Sequence, residues 1–245
     1  MEKRIIARGL LAGAGGGVVA YLFARAFVEP PITRAVAFED AHSAGHDEGV
    51  ELFTRAVQEN IGMGFGVVAF GVAMGALFAV AFAVAYGRIG GFGPRAFSIT
   101  LAALAFGVIG LVPWLKYPPN PPATSLEETI RERSGLYLLM VVLSLCFAVG
   151  AVLLGRHLVR RYGAWSSTLI GTGAYVVAMA VVMLALPAVA ETPGDFPADA
   201  FYDFRLYSMG TQFVMWATIG VVFASSTARL LDEASPAERA RSLSA

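Results

Sequence analysis

Six long apolar runs constrain the fold of this sequence more than any other feature. They lie near residues 9–28, 61–86, 97–115, 136–155, 167–189 and 207–228. Each run has roughly the 20 residues that an α-helix needs to cross the hydrocarbon core of a bilayer. A helix also satisfies its own backbone hydrogen bonds in lipid, where water is absent. The runs therefore predict an all-α, polytopic transmembrane helical bundle with about six spanning helices.

The composition favours a membrane protein and offers no catalytic motif. Of the 245 residues, 57% are hydrophobic and 15% are charged, whereas a soluble domain has about 25% charged residues. The formal net charge is zero, which gives no indication of a nucleic-acid partner. Neither Lys3 nor Lys116 lies in a phosphate-binding glycine pattern, and the sequence contains no zinc-protease or serine-hydrolase motif. We expect a protein that is not an enzyme, has no permanently bound cofactor and binds no nucleic acid.

The first apolar run has two interpretations. It follows a basic N-terminus, and Ala-Arg-Ala at 24–26 resembles the cleavage site of a signal peptide. The apolar stretch nevertheless continues through Phe27 and Val28 and is long enough to span. We expect it to remain as the first helix, and cleavage is the alternative.

Loop charges predict the orientation of the chain. Eleven of the 18 basic residues lie at the N-terminus, in the turns after the second and fourth runs, and in the tail. The positive-inside rule places these segments in the cytoplasm, and six crossings return both termini to that side. The domain prediction is one transmembrane unit over residues 1–228, with outer loops at 29–60, 116–135 and 190–206. A cytoplasmic tail follows at 229–245.

The predicted outer loops are acidic. They hold 14 of the 18 acidic residues and six basic ones, and such a surface raises the local concentration of cations. The alternative is that outer loops simply tolerate acidic residues, because these contribute little to topology. The asymmetry alone does not decide between the two.

The first outer loop contains the residues best suited to bind a metal ion. His42 and His46 are four positions apart, among Asp40, Asp47 and Glu48. Imidazole and carboxylate together suit cobalt, nickel and zinc. The alternative is a solvated polar loop, since a short histidine tract only indicates metal binding. Residues 49–60 carry apolar side chains at helical spacing, which predicts a short interfacial helix.

Small and flexible residues within the runs are expected to serve packing. Glycines spaced by four occur at 9, 13 and 17 in the first run, and at 62/66 and 71/75 in the second. This spacing is typical of helices in close contact within membranes. The methionines could offer soft sulfur ligands, but they are scattered over four runs, and packing is their commoner role.

Two motif blocks resemble the CbtA family of cobalt transporter subunits. The first is Leu-Lys-Tyr-Pro-Pro-Asn-Pro-Pro at 115–122, followed by Glu-Thr-Ile at 128–130 and Arg133. The second comprises Phe-Pro-Ala-Asp at 196–199, Phe-Arg-Leu at 204–206 and Gly-Thr-Gln at 210–212. The resemblance implies a bacterial inner-membrane protein that takes up cobalt for cobalamin synthesis. It also implies a small single-helix partner (CbtB) with a histidine-containing terminus.

The residues and the resemblance together give a functional hypothesis. The chain is expected to be the membrane subunit of a divalent metal transporter, with cobalt as the expected ion. Its entry site would be the histidine and acidic residues of the first outer loop. A second group of candidate residues is expected to line a polar path or to contact a partner. It comprises Lys116, Tyr117, Asn120, Arg133, Arg205 and Gln212.

Two alternatives remain open at this stage. The chain could instead be a non-transporting membrane scaffold that docks another complex through its outer loops. A membrane enzyme is the weaker alternative, because the sequence offers no nucleophile–base pair to name. In each case the lipid bilayer surrounds the chain, which could also assemble as a homo-oligomer. The transporter hypothesis has to accommodate the absence of a carboxylate deep in any predicted helix, because a divalent ion at mid-membrane is costly without one.

Overall fold

A computed structural model describes residues 2–42, 62–122, 124, 127–189 and 195–243. Nearly all of these residues lie in helices. In chain order they are α1 (Glu2–Phe27), α2 (Glu29–His42), α3 (Met63–Ala85), α4 (Pro94–Ala105), a π-helix (Phe106–Leu111), α5 (Val112–Lys116), α6 (Glu127–Ala185) and α7 (Ala198–Leu243). These described ranges contain no strand. The prediction of an all-α fold is confirmed.

Five helices in the described part of the chain are long and apolar enough to cross a membrane. They are Glu2–Phe27, Met63–Ala85, Pro94–Lys116, Ile130–Ala185 and Ala198–Leu230. The fourth has 56 residues, and a straight helix of that length would extend about 84 Å at 1.5 Å per residue. It is not straight, because Gly163 has φ 74° and ψ 168°, which no α-helix contains.

The contacts on either side of Gly163 show that α6 folds back on itself. A Cβ placed on Gly171 would lie 2.8 Å from the carbonyl oxygen of Ala151. Farther from the turn, the hydroxyl oxygens of Ser144 and Tyr175 are 2.7 Å apart. In an antiparallel helical hairpin, residues that contact each other lie at increasing sequence distances on either side of the turn, as these pairs do. We call its arms α6a (residues 127–162) and α6b (residues 164–185), and they contain the fourth and fifth predicted spans.

The surface of these helices is strongly apolar. Leu184, Trp165 and Phe65 expose 87%, 77% and 76% of their surface, and many other large apolar side chains are exposed. Soluble monomers rarely expose continuous apolar surface on this scale. Such helices are stable in a bilayer, where lipid covers the apolar side chains and the helix satisfies its own backbone.

The structure divides into two compact units, and each is described by itself. The first, unit 1, comprises Met1–Ala26, Asp47–Ala105 and Gly210–Ala245. Its interior is aromatic, since the ring of Phe223 packs edge-on against Phe78 and Phe82 at centroid distances of 5.1 Å. Phe97 packs edge-on against Phe82 at 5.5 Å. The guanidinium of Arg8 donates to the carbonyl oxygen of Ser226, which ties α1 to α7.

The glycine stripe of α1 packs directly on α3, as its spacing predicts. A Cβ placed on Gly13 would lie 2.3 Å from the carbonyl oxygen of Gly71, and one on Gly75 would lie 2.2 Å from that of Gly9. Only glycine permits this approach of the two backbones. Gly66 is different, because a Cβ there meets no described atom within 4 Å. The packing role predicted for the 62/66 pair stays a prediction.

Unit 2 comprises Phe27–His46 and Phe106–Met209. One of its apolar clusters joins Ala35 of α2 to Phe196 and Ala200 at the start of α7. A second is centred on Tyr117, Met140 and Met179 and draws on both arms of the α6 hairpin. The two clusters include residues of both CbtA-like motif blocks, Tyr117 from the first and Phe196 from the second.

The helix α2 occupies part of a segment that the sequence analysis assigned to an outer loop. Pro30 and Pro31 lie in its first turn, where a missing backbone N–H costs no helical hydrogen bond. Ala35 is fully buried, which anchors one face of α2. The interfacial helix predicted over residues 49–60 lies outside the described residues. The prediction of one transmembrane domain with a tail from residue 229 stays a prediction, and the backbone of α7 is helical to Leu243.

Candidate functional site

The residues predicted to bind metal fall mostly outside the described part of the chain. Asp40 is exposed on the last turn of α2, and His42 is the final residue of that helix. His46, Asp47 and Glu48 lie outside the described residues. Within the described ranges, no group of three His, Cys, Asp or Glu side chains is placed to hold a metal ion. The loop metal site stays a prediction.

The segment after α5, residues 117–122, forms a stiff connection that we call the proline loop. Four prolines in five residues prevent it from continuing the helix. Its first residue, Tyr117, is 4% exposed and donates its hydroxyl to the carbonyl oxygen of Pro187 at 2.7 Å. The start of the loop is thereby fixed to the chain that follows α6b. Thr124 donates to the carbonyl oxygen of Pro121 at 2.7 Å and closes the other end.

The environment of Tyr117 favours the protonated form of its hydroxyl. Burial raises the pKa of Tyr117 above its usual value near 10, because the phenolate would lose its hydration. The negative charge of Glu132 raises the pKa further. A protonated hydroxyl is the form that can donate to Pro187, so the pKa shift and the hydrogen bond describe the same arrangement. Lys116 lies beside it, with Nζ 5.8 Å from the centre of the Tyr117 ring.

Two arginines hold the middle of the proline loop. Arg133 of α6a donates to the carbonyl oxygen of Pro118 at 2.8 Å, and Arg205 of α7 donates to Oδ1 of Asn120 at 2.8 Å. The guanidinium of Arg205 also lies 3.9 Å from the centre of the Phe201 ring, a cation–π contact. The loop is therefore fastened to two separate helices by side chains that the sequence analysis had named.

The charges around the proline loop are unusual for a cation site. Arg133 and Arg205 repel each other electrostatically, and Nε of Arg205 is buried without an acceptor among the described residues. The neutral oxygens of Pro118 and Asn120 already accept from these guanidinium groups. A hard or borderline cation requires oxygen ligands that are free to bind it. The arrangement is chemically better suited to hold a loop or contact a partner than to conduct a cation.

The remaining predicted residue of this group is in the other compact unit. Gln212 is half-buried in α7 and belongs to unit 1, whereas the proline loop, Arg133 and Arg205 belong to unit 2. The structure thus brings Tyr117, Asn120, Arg133 and Arg205 together. The path role predicted for Gln212 stays a prediction.

The sequence analysis missed a polar network inside unit 2. Ser144 is completely buried and donates its hydroxyl to the carbonyl oxygen of Val108 at 2.7 Å. Because Ser144 uses its proton there, Tyr175 must donate in the 2.7 Å bond between the two hydroxyls. No motif identifies these residues, since single serines and tyrosines in apolar runs are common. Only the tertiary contact of the π-helix, α6a and α6b identifies these residues as a network.

The sequence analysis also missed an ion pair between α2 and α7. Arg34 and Asp203 approach to 2.7 Å, with side chains 46% and 30% exposed. Exposed pairs of this kind typically contribute about 0–1 kcal/mol. The pair therefore orients α2 on α7 more than it stabilises the fold. Without the helix α2 in the predicted elements, the pairing had no basis in the sequence.

The fold and the apolar surface define a polytopic helical membrane protein. The family model described as “Probable cobalt transporter subunit (CbtA)” matches residues 2–228. The chain belongs to this CbtA family, which confirms the resemblance carried by the proline loop and the last helix. No curated protein and no solved structure matches the chain significantly.

Proposed function

We propose that this protein is the membrane subunit of a cobalt uptake transporter linked to cobalamin synthesis. The family match over residues 2–228 carries the proposal, because it covers all of the predicted spans. The apolar surface of the helices supports a location within the membrane. The protein is expected to act as a transport subunit with no catalytic activity and no permanent cofactor, and cobalt is its cargo.

The proposed location is the bacterial inner membrane with both termini in the cytoplasm. Clustered arginines and lysines support this orientation, since basic loops remain on the cytoplasmic side. The opposite, acidic loops would then face outward and concentrate cations near the protein. Asp40 is exposed at the end of α2, which is compatible with a role in gathering cations. His42, His46, Asp47 and Glu48 complete the proposed entry site.

The proposed partner is a small single-helix subunit of the CbtB type. The family description names a subunit, which supports an assembly of more than one chain. The proline loop is the surface we propose for that contact. Its geometry is fixed by Tyr117, Arg133 and Arg205, so a partner would meet a preorganised surface.

Uptake of cobalt-57 by cells that express this chain, alone and with the small partner, tests the proposal. Chain-dependent uptake is expected in the wild type. The double substitution His42→Ala/His46→Ala is expected to reduce it, because both proposed imidazole ligands are removed. The matched control is His157→Ala, which removes the third histidine from α6a and leaves the entry loop unchanged.

The outcomes separate the entry site from the transporter. Uptake that persists in the double variant would contradict the loop site and retain the transporter. If protein shown to be in the membrane gives no uptake with or without the partner, the transporter proposal fails. A scaffold would then be the better explanation, and changes to the proline loop should abolish co-purification of the partner.

A further inference from the structure

Three methionines that are separate in the sequence lie in one cluster of unit 2. Met140 of α6a is fully buried, Met179 of α6b is 3% exposed, and Met183 packs against them from one turn along the same arm. Four-residue spacing puts Met179 and Met183 on one helical face. The hairpin at Gly163 turns this face toward Met140. The three methionines therefore meet in the fold, although they are separate in the sequence.

Two hydroxyl groups lie one helical turn from the methionines on the two arms of the hairpin. Ser144 follows Met140 by one helical turn, and Tyr175 precedes Met179 by one turn. Because the arms are antiparallel, the two hydroxyls meet at the same level, 2.7 Å apart. Tyr175 is itself part of the methionine cluster. The methionine and tyrosine side chains thus belong to one cluster between the two arms of the hairpin, and Ser144 is joined to it through Tyr175.

The π-helix contacts these residues through the carbonyl of Val108, and its irregular backbone has a physical reason. In a π-helix the carbonyl of Val108 would accept from the backbone N–H five residues later. That residue is Pro113, which has no N–H. The carbonyl accepts from the hydroxyl of Ser144 at 2.7 Å. Irregular backbone at membrane depth is tolerated where it is buried in protein or lines a polar path, and single-turn π-helices are frequent at functional sites.

We propose that Met140, Met179, Ser144 and Tyr175 form a transient binding site for the transported cation within unit 2. The site deepens the proposed function and rests on it. Its ligands are two thioether sulfurs and two hydroxyl oxygens, and Met183 belongs to the same cluster. It supplies neutral donors inside the membrane, where the spans offer no deep carboxylate.

The donor set determines which cations the site accepts. Thioether sulfur is a soft ligand, so the site favours borderline and soft transition-metal ions over Mg²⁺ and Ca²⁺, which prefer oxygen. Neutral donors bind a cation less strongly than carboxylates, and a transport path needs binding that still permits release. The site therefore discriminates by ligand type and holds the ion weakly.

Binding of Co²⁺ to the purified full-length chain tests the site directly. The protein carries His42→Ala/His46→Ala throughout, so that the loop does not contribute. Met140→Leu/Met179→Leu removes both sulfurs with nearly the same volume, and we expect about tenfold weaker binding or more. The matched control is Met215→Leu, which removes a methionine that is 2% exposed in unit 1. Its binding should equal that of the parent.

X-ray absorption at the cobalt edge distinguishes a ligand from a packing residue. We expect a sulfur shell in the parent protein that disappears in the methionine double variant, and excess Mg²⁺ should not displace the cobalt. A parent protein that binds no cobalt, or binds it without sulfur, overturns the site without any variant. So does equal binding by the double variant. Cellular uptake reports separately on the transporter, since it can persist when this site is refuted.

Discussion

At the scale of single residues, Ser144 shows how a hydroxyl can replace a backbone donor. Pro113 removes the N–H that the carbonyl of Val108 would receive in the π-helix. Ser144 donates its hydroxyl to this carbonyl, and Tyr175 in turn donates to Ser144. A buried carbonyl without a donor is costly in apolar surroundings. Ser144 therefore stabilises the junction between the π-helix and α5.

We predict that Ser144→Ala lowers the free energy of unfolding by about 1–3 kcal/mol, because the carbonyl of Val108 loses its donor. Tyr175→Phe should cost less, because Ser144 keeps its own acceptor in that variant. Thermal unfolding of the purified protein in detergent measures both. The control is Ser225→Ala, whose exposed hydroxyl bonds only within its own helix. Equal stability of Ser144→Ala and the control would contradict this assignment.

Tyr117 gives a pH-dependent prediction at the same scale. Its pKa is raised in the folded protein, so its stabilising contribution is complete below the unfolded value near 10. The contribution is lost as pH rises through the higher folded pKa. Tyr117→Phe should lower stability by about 0.5–1.5 kcal/mol at pH 7, since the bond to Pro187 is lost. The gap between wild type and variant should shrink above pH 10. Unfolding curves at several pH values measure it, and a constant gap would refute the role of the hydroxyl.

At the scale of elements, the glycine stripe determines how closely α1 approaches α3. We predict that Gly13→Leu destabilises the protein by about 1–3 kcal/mol through overpacking, because its Cβ would lie 2.3 Å from the backbone oxygen of Gly71. Gly15→Leu is the matched control, since a Cβ at Gly15 meets no described atom within 4 Å. Thermal unfolding of the two variants compares them. Similar losses in both would mean that helix propensity, and not contact with α3, causes the effect.

The elements also show which parts of the fold and site a sequence can predict. Hydropathy identifies the spans because each must be about 20 apolar residues long and must satisfy its backbone hydrogen bonds as a helix in lipid. The helix α2 and the π-helix were not predicted, since one is anchored through buried Ala35 and the other depends on a contact with Ser144. The family resemblance and the residue types made Asn120, Arg133 and Arg205 candidates for a polar path or partner contact. Their hydrogen bonds depend on residues 85 and 15 positions apart, and no local pattern encodes those pairings.

At the scale of the whole molecule, the charge distribution predicts which side each loop faces. Eleven of 18 basic residues occupy the segments assigned to the cytoplasm, and 14 of 18 acidic residues occupy the others. Basic residues bias insertion strongly, whereas acidic residues contribute little. The topology therefore depends mainly on the turns that carry arginine. The turn after α3 and the turn at Gly163 are the two that the structure describes.

Cysteine labelling in intact cells tests this topology. Cys146→Ser removes the only native thiol, and single cysteines are then placed at exposed positions by Gly91→Cys, Ala164→Cys and Ala198→Cys. A membrane-impermeant maleimide should label only the cysteine at position 198, because the other two follow α3 and α6a in predicted cytoplasmic turns. All three should react after the membrane is permeabilised, which controls for thiol access. Labelling at 91 and 164 with protection at 198 would invert the orientation and place the acidic loops in the cytoplasm, where they could not gather an external cation.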